Sequence, residues 1–228
     1  MTDVAARYRA TRAAIDAACA AAGRRPDEVT LVAVSKLHPV AAIDAAIAAG
    51  ATDLGENYVQ ELVAKQAAVT VAPRWHFIGH LQRNKARQVA GKVALVHAVD
   101  SVELGVELGK RIAPGAAQPI LIAVNVAGEA SKHGVTVADA PALLAALAAV
   151  PGVRVDGLMT MPPPTDDPED ARPHFAALRA LRDRLATPAA PLPHLSMGMS
   201  HDFAVAIACG ATLVRIGTAI FGERPTAA

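Results

Sequence analysis

The chain has 228 residues, of which 53% are hydrophobic and 3% are aromatic, and its formal net charge is +1 at pH 7. This length suits one large α/β domain or two small ones, with a core built mainly from Ala, Val, Leu and Ile. The near-neutral charge gives no electrostatic case for a nucleic acid or an anionic membrane as partner, and two cysteines do not predict a disulfide framework.

The N-terminal region carries charged residues that interrupt any signal-peptide core. No apolar run reaches membrane-spanning length without a charge or several Gly and Pro residues. The sequence therefore predicts a cytoplasmic protein with no membrane partner.

Helical and strand patterns alternate along the whole chain. An Ala-rich amphipathic helix is predicted over residues 2–22, and Gly23 is typical of a helix end. The predicted strands are 29–35, 52–56, 74–79, 94–99, 119–126, 153–161, 195–199 and 213–216. The helices that follow them are predicted at 40–49, 58–68, 84–90, 102–112, 138–149, 168–186 and 201–208.

Strict alternation of strands and helices with short connections favours a parallel sheet, and eight strands are the number that closes a (β/α)8 barrel. We therefore predict a single α/β domain over residues 1–228, folded as a TIM barrel with an extra N-terminal helix. A doubly wound open sheet is the alternative, and it would require fewer strands than the pattern indicates.

Lys36 stands at the carboxyl end of the first predicted strand, directly after an apolar run. Partial desolvation lowers the pKa of an ammonium group, and a neutral amine is the form that attacks carbonyls. Lys36 is therefore a candidate Schiff-base lysine. The alternative is a lysine that extends into solvent from a strand end.

Ser200 follows the seventh predicted strand, and Gly217 and Thr218 follow the eighth. Barrels often bind phosphate in these two loops through backbone N–H groups, and the hydroxyls of Ser200 and Thr218 add donors. Helix capping by Ser200 and an ordinary turn at Gly217 are the alternative. Combined with a Schiff-base lysine on the first strand, the pattern indicates a ligand that carries an aldehyde and a phosphate.

Arg215 lies on the eighth strand and shares a face with Gly217. A buried guanidinium needs a partner, because burying its charge alone is costly. An ion pair with an inner-barrel acid such as Glu56 is one interpretation. The other is that Arg215 faces a ring nitrogen of the ligand, where a protonated guanidinium would keep a pyridine nitrogen unprotonated.

The remaining polar motifs give weaker signals. The basic stretch 80–85 lacks interleaved aromatic residues, so it is interpreted as a solvated helix start rather than a nucleic-acid patch. His76, between Trp75 and Phe77, is interpreted as a core histidine. The histidines show neither an HExxH pattern nor a tight cluster with carboxylates, so no metal is predicted.

Six blocks of sequence stand out together: VAVSK at 32–36, GENYVQE at 55–61, WHFIGHLQ at 75–82, GLMTM at 157–161, LSMGMS at 195–200 and VRIGTAIFG at 214–222. In these blocks the chain resembles the pyridoxal phosphate homeostasis proteins, single-domain relatives of the alanine racemase barrel. The resemblance runs from about residue 29 to residue 222. The departures are His38 and His201, while residues 131–134 keep the family's Ser-Lys-x-Gly pattern.

The resemblance implies a fold-type III barrel that binds pyridoxal 5′-phosphate, with Lys36 as the lysine of the internal aldimine. It also implies that Arg215 faces the pyridine nitrogen and that Asn57 lies near the cofactor. The residues that it implies for the phosphate are Ser200, Gly217 and Thr218.

The resemblance implies a protein that holds and releases pyridoxal phosphate, and apo-enzymes that use this cofactor are candidate partners. An amino-acid racemase is the alternative, but a two-base racemase needs a second acid or base. In two-domain racemases a C-terminal domain supplies a tyrosine for this role, whereas this chain is expected to lack that domain. A cofactor-free Schiff-base aldolase is a third possibility. We predict no catalytic residue and a monomer.

Overall fold

The computed structural model describes residues 3–129 and 133–223. The strands are β1 Thr30–Val34, β2 Asp53–Glu56, β3 Arg74–Phe77, β4 Leu95–Val99, β5 Gln118–Ala123, β6 Val153–Met159, β7 His194–Ser196 and β8 Leu213–Ile216. The α-helices are α1 Val4–Ala21, α2 Val40–Ala48, α3 Val59–Ala68, α4 Val102–Gly109, α5 Ala140–Ala148, α6 Arg172–Leu185, α7 Phe203–Ala208 and α8 Thr218–Phe221. Over these ranges, no helix combines the length and the apolar character needed to cross a membrane.

The eight strands form a closed barrel in which sequence neighbours pair in order and all pairs are parallel. Closure is made by β1 and β8, whose register runs from Thr30 opposite Leu213 to Ala33 opposite Ile216. The predicted (β/α)8 barrel is confirmed, and the doubly wound alternative is wrong. The carboxyl ends of all strands therefore share one face.

Two apolar layers hold the barrel together. A large core of buried side chains lies between the strands and the surrounding helices. A second, smaller cluster consists of Val32, Leu95, Leu121 and Leu213. Val32 shares a strand face with Val34, which lines the cavity at the carboxyl ends of the strands, so this second cluster lies inside the barrel.

The extra helix α1 covers the outside of the barrel, and its buried residues recur at helical spacing: Tyr8, Thr11, Ile15 and Cys19. Asp3 caps its start by accepting a hydrogen bond from the Ala6 N–H at 3.1 Å. The helix packs against α2, α7 and α8. The N-terminal helix is therefore part of the layer of helices that surrounds the barrel.

The predicted elements differ from the structure in three respects. The segment predicted as an α-helix at 84–90 is a 3-10 helix, Arg83–Gln88, and two further 3-10 helices, Pro26–Glu28 and Pro168–Ala171, precede β1 and α6. Most strands end before their predicted carboxyl ends, because those residues turn into the loops on the common face. Helix α8 was not predicted, since four residues are too short to show a helical period.

Candidate functional site

A cavity of about 410 Å³ opens at the carboxyl ends of the strands. This volume lies in the range that small-molecule sites occupy. All six residues predicted for the site line the cavity, although they come from four different strand ends. They are Lys36, Asn57, Ser200, Arg215, Gly217 and Thr218.

Lys36 lies just beyond β1, where the backbone is unusually constrained. The next residue, Leu37, adopts a left-handed conformation with a φ of 64°. Its N–H donates a 2.7 Å hydrogen bond to the Glu61 carboxylate. This bond from helix α3 holds the chain in its strained turn, and so fixes where Lys36 leaves the strand.

Lys65, a buried residue of helix α3, holds the backbone on the N-terminal side of Lys36. Its ammonium group donates to the Ser35 carbonyl at 2.8 Å, to Glu56 at 2.7 Å and to Glu61 at 2.7 Å. Its side chain is only 8% exposed. The backbone on both sides of Lys36 is therefore tied to one buried ion cluster.

Glu56 belongs to this cluster and not to the cavity lining. Its Oε1 also accepts a 2.6 Å bond from the Ser35 hydroxyl. Burial raises the pKa of Glu56, and the bonds from Lys65 and Ser35 only partly offset this. An ion pair between Arg215 and Glu56, one of the two interpretations of Arg215, is therefore wrong.

The loops after β7 and β8 meet on the far side of the cavity. The Ser200 hydroxyl accepts a long, 3.5 Å contact from the Ala219 N–H in the first turn of α8. Capping of the following helix by Ser200 is wrong, because the N-cap of α7 is Asp202. A Cβ on Gly217 would lie 3.2 Å from the Val34 carbonyl oxygen, so glycine lets the β8 loop close against β1.

Arg215 is 6% exposed yet lines the floor of the cavity. Its Nη1 donates to the Ser196 hydroxyl at 2.6 Å, and its Nη2 donates to the Thr160 carbonyl at 3.0 Å. Burial lowers the pKa of Arg215 to about 10, so the guanidinium remains protonated at neutral pH.

Behind Arg215, a row of polar side chains crosses the barrel interior. The Ser196 hydroxyl lies 2.8 Å from Nδ1 of His97, and Nε2 of His97 lies 2.9 Å from Nδ1 of His76. Nε2 of His76 lies 2.9 Å from the Asp53 carboxylate. His76 is confirmed as a buried core histidine, but sequence reasoning missed the row. The available signal was the presence of polar residues within otherwise apolar strands, since buried polar groups need partners.

Asn57 lines the cavity, and its Oδ1 is buried without a hydrogen-bond partner among the described residues. Its backbone is held by Gly79, where an added Cβ would meet the Asn57 carbonyl oxygen at 2.2 Å. An unsatisfied buried acceptor is costly unless a ligand supplies a donor. Asn57 therefore fits a residue that contacts a bound molecule.

His80, Asp100 and His133 also line the cavity, and their ligand-type atoms lie within 4.8 Å of one another. The expectation of no tight histidine–carboxylate cluster is therefore wrong. The two imidazoles stack, with centroids 4.0 Å apart and planes 16° apart. Ring-nitrogen lone pairs lie in the ring planes, so in this stack they do not converge on one point. The prediction that the site holds no metal stays a prediction.

The two departures from the resembled family lie in different places. The His38 ring stacks on Phe221 with centroids 5.3 Å apart. His201 lines the cavity, and its Nε2 lies 3.0 Å from the Asp166 carbonyl. Residues 131 and 132 of the Ser-Lys-x-Gly pattern lie outside the described residues.

Comparison with known proteins agrees with the fold. The family model for the alanine racemase N-terminal domain matches residues 10–225. The pyridoxal phosphate homeostasis protein of Aquifex aeolicus is 46% identical over 213 residues, which cover 92% of this chain and 93% of that protein. Its counterpart in Pseudomonas aeruginosa is 45% identical over 227 residues, covering 98% of this chain and 97% of that protein.

A solved structure gives the same result in three dimensions. PipY of Synechococcus elongatus, with PLP bound, superposes with a TM-score of 0.84 at 36% identity and covers 96% of this chain and 100% of its own. The barrel is thus of the alanine racemase N-terminal type. Within that class, the chain belongs to the pyridoxal phosphate homeostasis protein family.

Proposed function

We propose that this protein binds pyridoxal 5′-phosphate in the cavity and serves in its homeostasis. The observation that carries the proposal is the convergence of Lys36 from β1 with Ser200, Gly217 and Thr218 from β7 and β8. An amine and an anion site face each other across one cavity, which suits a ligand with an aldehyde and a phosphate.

The residues present fit each part of that ligand. The hydroxyls of Ser200 and Thr218 and the amides of the tight Gly217 loop supply donors for the phosphate. The protonated Arg215 suits an acceptor such as a pyridine nitrogen, and Asn57 Oδ1 offers an unsatisfied acceptor. When bound, pyridoxal phosphate supplies an aldehyde that condenses reversibly with amines. Lys36 is the amine positioned to hold it.

The same residues favour a carrier over a racemase. Arg215 can only donate hydrogen bonds, so it would hold a pyridine nitrogen unprotonated and weaken it as an electron sink. A second acid or base is also required for racemisation. Neither Tyr8 nor Tyr58 lines the cavity, since the Tyr8 hydroxyl donates to the Gly50 carbonyl and Tyr58 is 51% exposed.

We also propose that the protein acts as a cytoplasmic monomer that passes the cofactor to apo-enzymes. A reversible bond at Lys36 suits transfer, because the aldehyde can exchange to another amine. The open position of the cavity at the barrel face supports access for a recipient.

The first test is the visible spectrum of the purified protein before and after borohydride, with mass spectrometry of the Lys36 peptide. We expect a yellow band that borohydride bleaches and a pyridoxyl-phosphate mass on Lys36. Lys36→Ala should remove the band, whereas Lys92→Ala, at an exposed lysine, should keep it. A wild-type protein that stays colourless after reconstitution contradicts the proposal.

The phosphate donors give a second prediction. Ser200→Ala and Thr218→Val should each speed release of pyridoxal phosphate by about tenfold to 150-fold, since a hydrogen bond to a charged group contributes about 1.5 to 3 kcal/mol. Dilution into a scavenging apo-enzyme measures the release rate. Thr70→Val, at a threonine that contacts Asp44, serves as control. A double variant that retains the cofactor like wild type rules out this phosphate site.

A further inference from the structure

The row of side chains behind Arg215 has chemically fixed ends. Arg215 can only donate hydrogen bonds, and the Asp53 carboxylate can only accept them. Burial by itself would raise the pKa of Asp53, but hydrogen bonds from His76, Arg74 and Thr52 outweigh it and lower the pKa to about 2. Asp53 is therefore ionised at neutral pH.

The proton positions between these ends follow by counting donors. Ser196 must accept from Arg215, and its own proton then needs an acceptor. Ser196 is fully buried, and the one other partner it has among the described residues is Nδ1 of His97. The Ser196 hydroxyl therefore donates to His97, whose Nδ1 carries no proton.

The same count continues to the far end. Burial, together with the nearby Arg215 guanidinium, lowers the pKa of His97 well below its usual value, so its imidazole is neutral. With Nδ1 accepting, its proton sits on Nε2 and is donated to Nδ1 of His76. The remaining proton of His76 is on Nε2 and is donated to Asp53. Every bond then points from Arg215 towards Asp53.

We propose that Ser196, His97 and His76 form a polarised hydrogen-bond chain, anchored at Asp53, that positions Arg215 for the ligand in the cavity. The direct partners of Arg215 in the structure, Ser196 and Thr160, are neutral. Aligned bonds polarise one another, so the chain makes the Ser196 oxygen a stronger acceptor. Nη1 is thereby held in one orientation, and the unused guanidinium N–H groups stay directed at the cavity.

The members of the chain do not line the cavity, so they are positioning residues that act through Arg215. They are Ser196, His97, His76 and Asp53. The identity of the ligand as pyridoxal phosphate rests on the function proposed above. The proton positions themselves do not depend on it, because they follow from the protein alone.

The first experiment therefore uses the protein without added cofactor. Protein labelled with 15N-histidine is examined by long-range proton–nitrogen NMR at about pH 7. This pH is close to the one at which an unperturbed histidine changes its charge. We expect His97 and His76 each to be neutral with the proton on Nε2. A proton on Nδ1 of His97, or an imidazolium at His97, overturns the chain.

The second experiment uses the protein loaded with pyridoxal phosphate. Ser196→Ala should shift the absorption band of the bound cofactor and speed its release roughly threefold to tenfold, the effect of one lost hydrogen bond. Ser196→Thr, which keeps the hydroxyl, should restore both. His194→Gln is the matched control, because His194 lies on the same strand but outside the chain.

The outcomes separate the two proposals. If wild-type protein fails to bind pyridoxal phosphate, the proposed function is wrong, and the NMR result still decides the proton positions. If wild type binds it but Ser196→Ala behaves like wild type in both band and release, positioning of Arg215 by the chain is wrong.

Discussion

Leu37 shows how a single residue can store strain beside a functional one. Its left-handed backbone costs a non-glycine residue about 1 to 2 kcal/mol. The Glu61 carboxylate compensates by accepting the Leu37 N–H at 2.7 Å. Because the side chain is 46% exposed, little packing depends on it. The strain is best explained as the cost of directing Lys36 into the cavity.

This strain gives a prediction with a close control. Leu37→Gly should be about 1 kcal/mol more stable than Leu37→Ala, because glycine adopts positive φ without the Cβ clash. Both variants lose the same exposed side chain, so the difference isolates the backbone. Urea denaturation measures it. Equal unfolding free energies for the two variants would show that the turn relaxes.

For single residues, the sequence predicts which side chains follow the strands but not which side chains support them. The position in the cavity could be predicted for Lys36, Ser200, Gly217 and Thr218, because strand ends converge in a barrel. Lys65 could not, since a lysine on an amphipathic helix normally faces solvent. It is buried because Glu56, Glu61 and the Ser35 carbonyl meet its ammonium group, and those partners are brought together only by the fold.

Helix α1 is fastened to the barrel by more than its apolar face. Nη1 of Arg24, just beyond the helix, donates to the carbonyls of Ile207 at 2.9 Å and Ala211 at 2.7 Å. Ile207 lies in the last turn of α7, and Ala211 lies just beyond the helix. Arg24 therefore joins the first helix to the seventh strand–helix unit.

The adjacent arginine offers the control for a prediction about this attachment. Arg24→Ala should lower the unfolding free energy by about 2 kcal/mol, since charge-assisted hydrogen bonds to buried carbonyls are lost. Arg25→Ala should leave it nearly unchanged, because the Arg25 side chain is 74% exposed and its ion pairs lie at the surface. Thermal or urea denaturation compares them, and equal losses would contradict the role of Arg24.

Helices and strands could be predicted where the hydrophobic pattern is complete within one segment of the sequence. The strands from β1 to β8 and the longer helices have such patterns. Where the sequence misled, a short segment adopted the geometry that its neighbours required, as in the 3-10 helix Arg83–Gln88 and the four-residue α8. Isolated helices this short are unstable, so packing and not propensity decides their form.

For the molecule as a whole, buried ionised groups link stability to pH. Asp53 has a folded pKa of about 2, below its ordinary value of 3.8, because hydrogen bonds outweigh the effect of burial. Its stabilisation is therefore complete above about pH 4 and is lost as pH falls through about 2. His97, with a lowered pKa, acts in the same direction, and its contribution begins to fall below about pH 6.5.

The resulting prediction concerns acid sensitivity. Between about pH 6 and about pH 3, Asp53 should account for about 1 kcal/mol of lost unfolding free energy. Asp53→Asn should be less stable than wild type at neutral pH but lose less between these two pH values. Asp139→Asn, at an exposed aspartate, is the control. Urea denaturation at both pH values gives the comparison, and a variant with the wild-type pH slope would contradict the assignment.

Closure of the barrel by β1 and β8 has a consequence for biosynthesis. The candidate amine leaves the ribosome with the first strand, whereas the loops opposite it emerge only with the last two. A nascent chain therefore exposes Lys36 long before any anion site exists beside it. Because strands far apart in sequence pair late in folding, the cavity forms only when the ring is complete. Cofactor loading would thus report a finished barrel, and it would stabilise that state against reopening.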